Sequence, residues 1–224
     1  MIDMEKVSYK RPEMEDIPEI KEKLLKIFVQ CEPLCSSIAI CHHCVAKILE
    51  SSNPRIFEKM IESRFSLLAY YDSKLIGGRL ITIAKRPTDI DVTAEEEDIA
   101  FCESCTKAKD KMANLGNLLY TLKEDTWKLI PRDIVQIIRR EVSCVHPDYQ
   151  RNGIGKAMAH VNFMDDFLSL SGNQGIISET SSLANQHLLA KLNFQALKTL
   201  KYKDFGITAS DGTPTAILNF RRFE

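Results

Sequence analysis

Residues 150–156 form a turn whose composition is suited to holding an anion. Pro147 ends the apolar run before it, and Gly153 and Gly155 permit a positive φ or a close backbone approach as a helix begins. The first N–H groups of a helix lack internal partners and lie at the positive end of its dipole, so they can bind phosphate oxygens. The pattern predicts an anion site, and the alternative is an ordinary strand-to-helix turn.

The elements that position this turn are a buried strand and an amphipathic helix. Residues 134–138 and 141–145 are apolar and rich in β-branched side chains, which is typical of a largely buried strand. After the turn, residues recur at helical spacing on one face, namely Ile154, Ala157, Met158, Val161, Asp165 and Leu168. The turn fits neither a P-loop nor a Rossmann fingerprint, because it lacks the G-K-[ST] ending and the G-x-G-x-x-G pattern.

The sequence Gln150-x-x-Gly153-x-Gly155 resembles the pyrophosphate loop (Q/R-x-x-G-x-G/A) of the GNAT superfamily of N-acetyltransferases. The resemblance implies an α/β GNAT fold, in which a mixed central sheet with a splayed parallel strand pair is flanked by helices. It also implies acetyl-CoA as the co-substrate, with its pyrophosphate held by the amides of the loop. The residues implied in cofactor binding are Cys144, Val145, Gln150, Arg151, Asn152, Gly153, Ile154, Gly155, Lys156 and Asn185.

A second match lies just after the first predicted helix, where an aromatic residue is followed by Glu32-Pro33-Leu34. This stretch is similar to the signature of the insect-type arylalkylamine N-acetyltransferases, which acetylate dopamine, serotonin, tyramine and related amines. The resemblance implies that Glu32 is catalytic. Such an amine has a pKa of about 10 and arrives protonated, so a carboxylate that accepts its proton, directly or through water, fits the chemistry. The alternative is a solvated acid beside a helix end.

A third match covers residues 179–194, a predicted helix whose ending is similar to the family's L-G-F with Asn193 in place of glycine. Asparagine tolerates a left-handed φ, so the helix can still end there. Counted from this ending, the resemblance assigns Ser181 to a serine implicated in catalysis and Asn185 to a cofactor contact. Leu189 stands where many GNAT enzymes have a tyrosine that reprotonates the CoA thiolate, which leaves Ser181 or water. The alternative role of Ser181 is a helix N-cap.

The cysteines suggest two further kinds of chemistry. The pairs Cys41/Cys44 and Cys102/Cys105 form C-x-x-C units, and four thiolates suit tetrahedral zinc. Both pairs fall in helix-like sequence, and they are too far apart for a compact zinc ribbon, so we expect buried helix cysteines and no metal. Cys144 raises the alternative of a covalent acyl-enzyme, although a buried strand thiol is usually structural.

The totals exclude several classes of function. A chain of 224 residues fits one domain, residues 1–224. Lys+Arg 30 against Asp+Glu 31 gives a net charge of -1, which provides no global positive field for nucleic acid or an anionic membrane. Seven cysteines, an odd number, fit a reducing compartment better than a disulfide framework. The sequence shows neither an apolar run of transmembrane length nor the apolar core of a signal peptide. We expect a cytoplasmic monomer or weak dimer whose partner is a small-molecule amine.

The remaining sequence predicts short strands and helices around these motifs. Strands are expected at residues 7–10, 65–71, 75–84, 174–178, 196–202 and 216–220, and helices up to Phe28 and at 35–50, 55–63, 98–112 and 115–129. Gly77 and Gly78 predict a bulge or a close-packing site. In the arylalkylamine branch that the chain resembles, an insertion before the strand that leads into the pyrophosphate loop helps to wall the amine pocket. The residues that this resemblance makes candidates for the pocket wall are Leu118, Leu119, Tyr120, Leu122 and Trp127. We expect most of them to pack in the core instead.

Together the three matches predict an acetyl-CoA-dependent N-acetyltransferase that acts on a primary amine, with an arylalkylamine as the first substrate hypothesis. Glu32 would act as the base for direct attack in a ternary complex. One alternative is a GNAT enzyme for polyamines, amino acids or a protein amine. Two others are an acyl-CoA-binding protein without catalysis and a zinc-dependent interaction module.

Overall fold

Seven strands form one mixed sheet in the order β1-β2-β3-β4-β5-β7-β6. The structure is a computed structural model that describes residues 2–87, 101–160 and 171–223. The strands are β1 (Val7–Lys10), β2 (Leu67–Tyr71), β3 (Lys74–Lys85), β4 (Gln136–Val145), β5 (Gly175–Thr180), β6 (Gln195–Lys201) and β7 (Thr215–Arg222). All neighbours are antiparallel except β4 and β5, which are parallel. The predicted α/β fold is confirmed.

The parallel pair is joined over a short stretch only. Its Cα partners are Ile138 with Ile176, Arg139 with Ile177, and Arg140 with Ser178. Beyond these residues β4 continues to Val145 and β5 to Thr180. The strands therefore separate towards their carboxyl ends, as the splayed pair predicts. We call the space between residues 141–145 of β4 and residues 179–180 of β5 the gap.

Helices flank the sheet and its connections. They are α1 (Ile17–Glu19), a π-helical turn (Ile20–Leu24), α2 (Leu25–Cys31), α3 (Pro33–Ile38), α4 (His42–Ser52), α5 (Ile56–Glu62), α6 (Glu103–Thr106), α7 (Lys109–Lys123), α8 (Thr126–Leu129), α9 (Ile154–His160) and α10 (Leu183–Lys191). Short 3-10 turns lie at Met4–Lys6, Met14–Asp16, Pro147–Tyr149 and Tyr202–Phe205. Within the described ranges, no helix is both long and apolar enough to cross a membrane.

Two predicted helix boundaries are wrong. The helix expected at residues 35–50 is divided into α3 and α4, because Ala39 takes a left-handed φ of 55° and ends α3. The break expected at residues 113–114 is absent, since α7 runs through it, and the helices part instead at residues 107–108. The start of the helix expected at residues 98–112 and the end of the helix predicted after the turn at residues 150–156, residues 161–168, lie outside the described residues.

Gly77 and Gly78 of β3 allow two close approaches at once. A Cβ at Gly77 would lie 2.5 Å from the carbonyl oxygen of Cys144, and a Cβ at Gly78 would lie 2.9 Å from the methyl groups of Leu24. Leu24 belongs to the π-helical turn that leads into α2 and is fully buried. The predicted close-packing site is confirmed, and it presses both β4 and the start of α2 against β3.

Hydrophobic clusters hold the helices against the sheet. Leu118 and Leu122 of α7 are fully buried in a cluster that also contains Leu34 of α3. Tyr120 is 65% exposed, whereas Trp127 is half-buried with the guanidinium of Arg86 5.0 Å from its ring centroid. The core role predicted for the α7 stripe is confirmed for Leu118 and Leu122.

Candidate active site

Glu32 lies at the junction between α2 and α3. Its φ of -84° and ψ of 114° end α2, and Pro33 occupies the first position of α3, where proline is favoured. The Oε2 atom accepts a hydrogen bond from the amide of Cys35 at 2.5 Å, so Glu32 caps the helix that follows it. The junction with Pro33 therefore fixes the backbone of Glu32, and the hydrogen bond from Cys35 fixes one oxygen of its carboxylate.

The second carboxylate oxygen of Glu32 is in a different situation. Oε1 is buried and has no hydrogen-bond partner among the residues that the structure describes. Withdrawing a charged oxygen from water without a partner is unfavourable, so this atom is suited to accept a proton or a hydrogen bond from a bound molecule. The alternative of a solvated acid does not describe this oxygen.

One carbonyl oxygen joins the helix before Glu32 to the predicted cofactor loop. The thiol of Cys31 donates to the carbonyl of Val145 at 3.1 Å, and the side-chain amide of Gln150 donates to the same oxygen at 2.9 Å. The Gln150 amide also lies 3.6 Å from the sulfur of Cys31. The end of α2, the end of β4 and the start of the loop are thus held as one unit beside the gap.

The loop itself is fixed by its own side chains and by left-handed backbone. Arg151 and Gly153 have φ values of 63° and 84°. The amide group of Asn152 donates to the carbonyls of Tyr149 at 3.2 Å and Gln150 at 2.9 Å. Helix α9 then begins at Ile154, which is buried, while Arg151 and Lys156 are exposed. This is the predicted strand-turn-helix arrangement, and its first helical amides lack partners within the helix.

Gly155 has no structural explanation within the described chain. It lies in the first turn of α9 without a left-handed φ, and a Cβ placed there would meet no described atom within 4 Å. Glycine inside a helix costs about 1 kcal/mol relative to alanine. A ligand that approaches this backbone closely would account for the residue, and a CoA pyrophosphate fits that requirement.

Ser181 directly follows β5, but it does not cap α10. The hydroxyl of Ser182 accepts from the amide of Asn185 at 3.3 Å and is the N-cap. The N-cap role considered for Ser181 is therefore wrong, and its half-buried side chain lies at the edge of the gap. Asn185 is half-buried in the first turn of α10, and Leu189 is buried.

Tyr202 connects the two predicted catalytic residues, and sequence reasoning did not identify it. Its hydroxyl donates to the carbonyl of Ser181 at 2.8 Å, and only 2% of the residue is exposed. Burial raises the pKa of Tyr202 well above its ordinary value, and the negative charges of Glu32 and Asp211 raise it further. Tyr202 also belongs to the same hydrophobic cluster as Leu34 of α3, the helix that Glu32 caps. No local sequence pattern indicates this contact.

The environment of the Cys144 thiol does not favour reaction as a nucleophile. It is buried and donates to the carbonyl of Leu24 at 3.8 Å, while burial raises its pKa well above the ordinary value. The backbone of Cys144 and Val145 pairs with Gly78 and Gly77 of β3. The geometry therefore favours a structural thiol over the covalent alternative.

Charged side chains lie where β4 and β5 begin to separate. Arg139 contacts Glu179 at 3.3 Å through a terminal nitrogen and Glu141 at 3.7 Å through Nε. The hydroxyl of Thr82 donates to Glu141 at 2.5 Å. The buried guanidinium of Arg140 lies beside this group: burial lowers its pKa to about 10, while the charge of Glu179 raises it. Two guanidinium groups therefore stand against the two carboxylates, and sequence reasoning did not single out these residues.

Comparison with known proteins identifies the fold. No family model and no curated protein matches the chain. Among solved structures, the chain is similar to arylalkylamine N-acetyltransferase 2 from Aedes aegypti, with a TM-score of 0.70, 14% identity, and coverage of 97% of this chain and 99% of that one. It is also similar to the polyamine N-acetyltransferase of Drosophila melanogaster, with a TM-score of 0.65, 12% identity, and coverage of 96% and 99%.

A third similar structure is the C-terminal condensation domain of Ebony, solved in complex with beta-alanyl-dopamine. Its TM-score is 0.66 at 14% identity, with coverage of 97% of this chain and 99% of that one. The chain therefore has the fold of the GNAT N-acetyltransferases over nearly its whole length, and the predicted GNAT fold is confirmed.

Proposed function

We propose that the protein transfers an acetyl group from acetyl-CoA to a primary amine, with Glu32 as the base and an arylalkylamine as the substrate class. The observation that carries the proposal is the carboxylate of Glu32, which has one oxygen fixed by Cys35 and the other buried without a described partner. Solved structures with this fold include proteins named for the acetylation of arylalkylamines, agmatine and polyamines.

The residues proposed to hold acetyl-CoA surround the loop and the end of β4. They are Cys144, Val145, Gln150, Arg151, Asn152, Gly153, Ile154, Gly155, Lys156 and Asn185. Two observations support the fit, namely the open surroundings of Gly155 and the separation of β4 from β5. When bound, acetyl-CoA supplies the acetyl group as an activated thioester.

Glu32 would prepare the amine for attack. An amine with a pKa of about 10 binds as an ammonium ion, which the carboxylate attracts. The Oε1 atom of Glu32 then accepts a proton, directly or through water, and leaves a nucleophilic nitrogen. Amides at Cys144 and Val145 would stabilise the oxyanion that develops on the acetyl group.

Return of a proton to the CoA thiolate is assigned to Ser181 or water. The hydroxyl of Tyr202 is already donated to the carbonyl of Ser181, so Tyr202 acts by positioning the end of β5. Because Cys144 remains a neutral buried thiol, we propose direct transfer without an acyl-enzyme.

A second substrate class is a polyamine or agmatine, because solved structures with this fold include proteins named for the acetylation of these amines. Glu141 and Glu179 both contact the guanidinium of Arg139, and Glu179 also acts electrostatically on the buried guanidinium of Arg140. An amine with a second cationic group would compete with these guanidinium groups for the two carboxylates. Glu179→Gln removes one of the carboxylates and so separates this class from the aromatic amines.

The proposal is tested by measuring the release of CoA thiol from acetyl-CoA, with tryptamine, dopamine, tyramine, spermidine and agmatine offered separately. Glutamine at position 32 retains an oxygen that can cap α3, so we expect Glu32→Gln to lower kcat/KM by about 10²–10⁴-fold with little change in Tm. Glu15→Gln, the same change of charge at an exposed site, is the matched control.

The outcomes separate the alternatives. Turnover restricted to the aromatic amines supports the arylalkylamine class. Turnover restricted to spermidine and agmatine, with a loss in Glu179→Gln, supports the second class instead. Absence of turnover with every amine, while acetyl-CoA still raises Tm, contradicts the proposed enzyme and indicates an acyl-CoA-binding protein.

A further inference from the structure

Four cysteine side chains from distant parts of the chain meet at one point, which we call the cysteine tetrad. The sulfur atoms of Cys41, Cys44, Cys102 and Cys105 all lie within 4.8 Å of one another. Cys41 and Cys102 are 61 residues apart in the chain, and their sulfur atoms are 3.8 Å apart. The separation that argued against a compact zinc ribbon therefore does not keep the two C-x-x-C pairs apart in the fold.

We propose that the cysteine tetrad binds one structural zinc ion. Zinc with four sulfur ligands is tetrahedral, with Zn–S distances of about 2.3 Å, which places neighbouring sulfurs about 3.8 Å apart. The distance between the sulfurs of Cys41 and Cys102 equals that edge. A disulfide requires about 2.05 Å, and all four thiols are free.

The backbone around the cysteine tetrad is arranged for sulfur ligands. Cys41 and Cys102 are the N-cap residues of α4 and α6, and the second cysteine of each pair lies in the first helical turn. The amide of Cys41 donates to the sulfur of Cys105 at 3.3 Å, and the amide of Cys102 donates to the sulfur of Cys44 at 3.4 Å. Each pair thus stabilises a sulfur of the other, as the hydrogen bonds around metal-bound thiolates do.

Burial and charge also favour a single soft cation. Cys44 and Cys105 are 0% and 1% exposed, and Cys41 and Cys102 are half-buried. Four thiolates in such a small volume repel one another unless a cation lies between them. Thiolate ligands select zinc over magnesium or calcium, and sulfurs this close surround one ion more readily than a cluster of several irons.

The closed ligand set assigns the ion a structural role. Four protein ligands leave no open position for water or substrate, which is the pattern of structural zinc. The ion would join α4 to α6, and α7 follows α6 and packs against Leu34 of α3, the helix that Glu32 caps. The ion would therefore hold α6 and α7 against the helices beside the gap. The proposed zinc site does not depend on acetyl transfer.

The histidines between the first two cysteines provide a matched control. His42 and His43 lie 3.6 Å and 3.5 Å from the carboxylate of Glu22, outside the cysteine tetrad. The double variant His42→Ala/His43→Ala changes the same C-x-x-C segment without removing a proposed ligand. Cys31→Ser serves as a second control, because it removes a thiol that belongs to a different region.

The experiment measures bound metal in full-length protein purified from cells supplied with zinc and dialysed without a chelator. We expect about one zinc per chain by elemental analysis, and four sulfur neighbours at about 2.3 Å by X-ray absorption at the zinc edge. Cys41→Ser/Cys105→Ser, which removes one ligand from each pair, should lose the zinc, and both controls should retain it. A chelator should lower the Tm of the wild type by about 5 °C or more.

Three results would overturn the proposal. They are wild-type protein that binds no zinc and has freely titrating thiols, zinc with nitrogen or oxygen neighbours in place of sulfur, and zinc retained by Cys41→Ser/Cys105→Ser. The first two are obtained on the wild type, so they decide the matter even if the cysteine variant does not fold.

Discussion

Cysteines in two regions of the molecule differ in the groups that surround their sulfur atoms. Beside the gap, the thiols of Cys31 and Cys144 donate to backbone carbonyls. In the cysteine tetrad, the sulfurs of Cys44 and Cys105 accept from backbone amides. A sulfur that donates must keep its proton, whereas an amide that donates to a sulfur lowers the pKa of that thiol. Burial nevertheless raises the pKa of Cys44 to about 12 and also raises that of Cys105, so these two sulfurs require a cation to become thiolates. The gap thiols therefore serve as core side chains, and the tetrad sulfurs are arranged for a cation.

The two regions also differ in what they leave unsatisfied. At the gap, Oε1 of Glu32 lacks a partner within the described chain, and Gly155 leaves room beside its backbone. In the cysteine tetrad the sulfurs are surrounded by one another and by amide donors. The first arrangement suits molecules that enter and leave, and the second suits an ion that stays.

The largest effect is expected from thiol alkylation of metal-stripped protein. The hydroxyl of Ser104 is the main cause that lowers the pKa of Cys102 to about 6, whereas burial raises the pKa of Cys31 to about 11. At pH 7 the thiolate fractions are then about 0.9 and about 10⁻⁴, so Cys102 should react with iodoacetamide at least about 10³-fold faster.

Peptide mapping by mass spectrometry measures both rates in one sample. Lowering the pH through about 6 should protonate Cys102 and slow its alkylation, whereas Cys31 should react appreciably only as the pH approaches about 11. Adding zinc before the reagent should protect Cys102, together with the other thiols of the tetrad, and should leave the rate at Cys31 unchanged. Equal rates at the two thiols would remove the contrast between the regions.

A smaller effect is expected when the space beside the loop is filled. Gly155→Ala should weaken acetyl-CoA binding by about tenfold, because a methyl group occupies the position proposed for the pyrophosphate. It should also raise stability by up to about 1 kcal/mol, since alanine is the better helix former.

Gly116→Ala is the matched control, because Gly116 is exposed in α7 and its Cβ would also meet no described atom within 4 Å. Both variants should gain stability, and only Gly155→Ala should lose affinity in calorimetric titration. Unchanged affinity in Gly155→Ala would show that the loop does not hold the cofactor as proposed.

The smallest effect is expected from removing the thiol of Cys144. Cys144→Ala keeps the backbone amides and deletes one buried sulfur, so turnover should fall by less than about threefold, with a loss of stability of about 1 kcal/mol. Steady-state kinetics and thermal unfolding give the two quantities. Loss of nearly all turnover at an unaltered Tm would instead identify Cys144 as a nucleophile.

The sequence predictions that the structure confirms rest on patterns of neighbouring residues. The strand, turn and helix around Gly153 are decided by local backbone preferences, and so is the helix junction at Glu32-Pro33. The cysteine tetrad could not be predicted in this way. The two cysteine pairs meet only because tertiary packing brings α4 and α6 together. The spacing of the cysteines along the chain does not indicate that contact.

Helix boundaries show the same limit. The composition around Ala113 and Asn114 suggests a break, yet α7 continues through both, because Met112 and Leu118 on either side are buried in hydrophobic clusters. Packing there outweighs intrinsic preference. The contact between Tyr202 and Ser181 is likewise tertiary, so no pattern along the chain predicts it.

The position of β7 has a consequence for the order of folding. β7 follows β5 and β6 in the chain but lies between them in the sheet, and it pairs with all six residues of β5, against three pairs between β5 and β4. Before β7 is synthesised, β5 has an unpaired edge and little to hold it beside β4. Long-range insertion of this kind is slow, so the gap is completed late, by the arrival of a strand that does not border it.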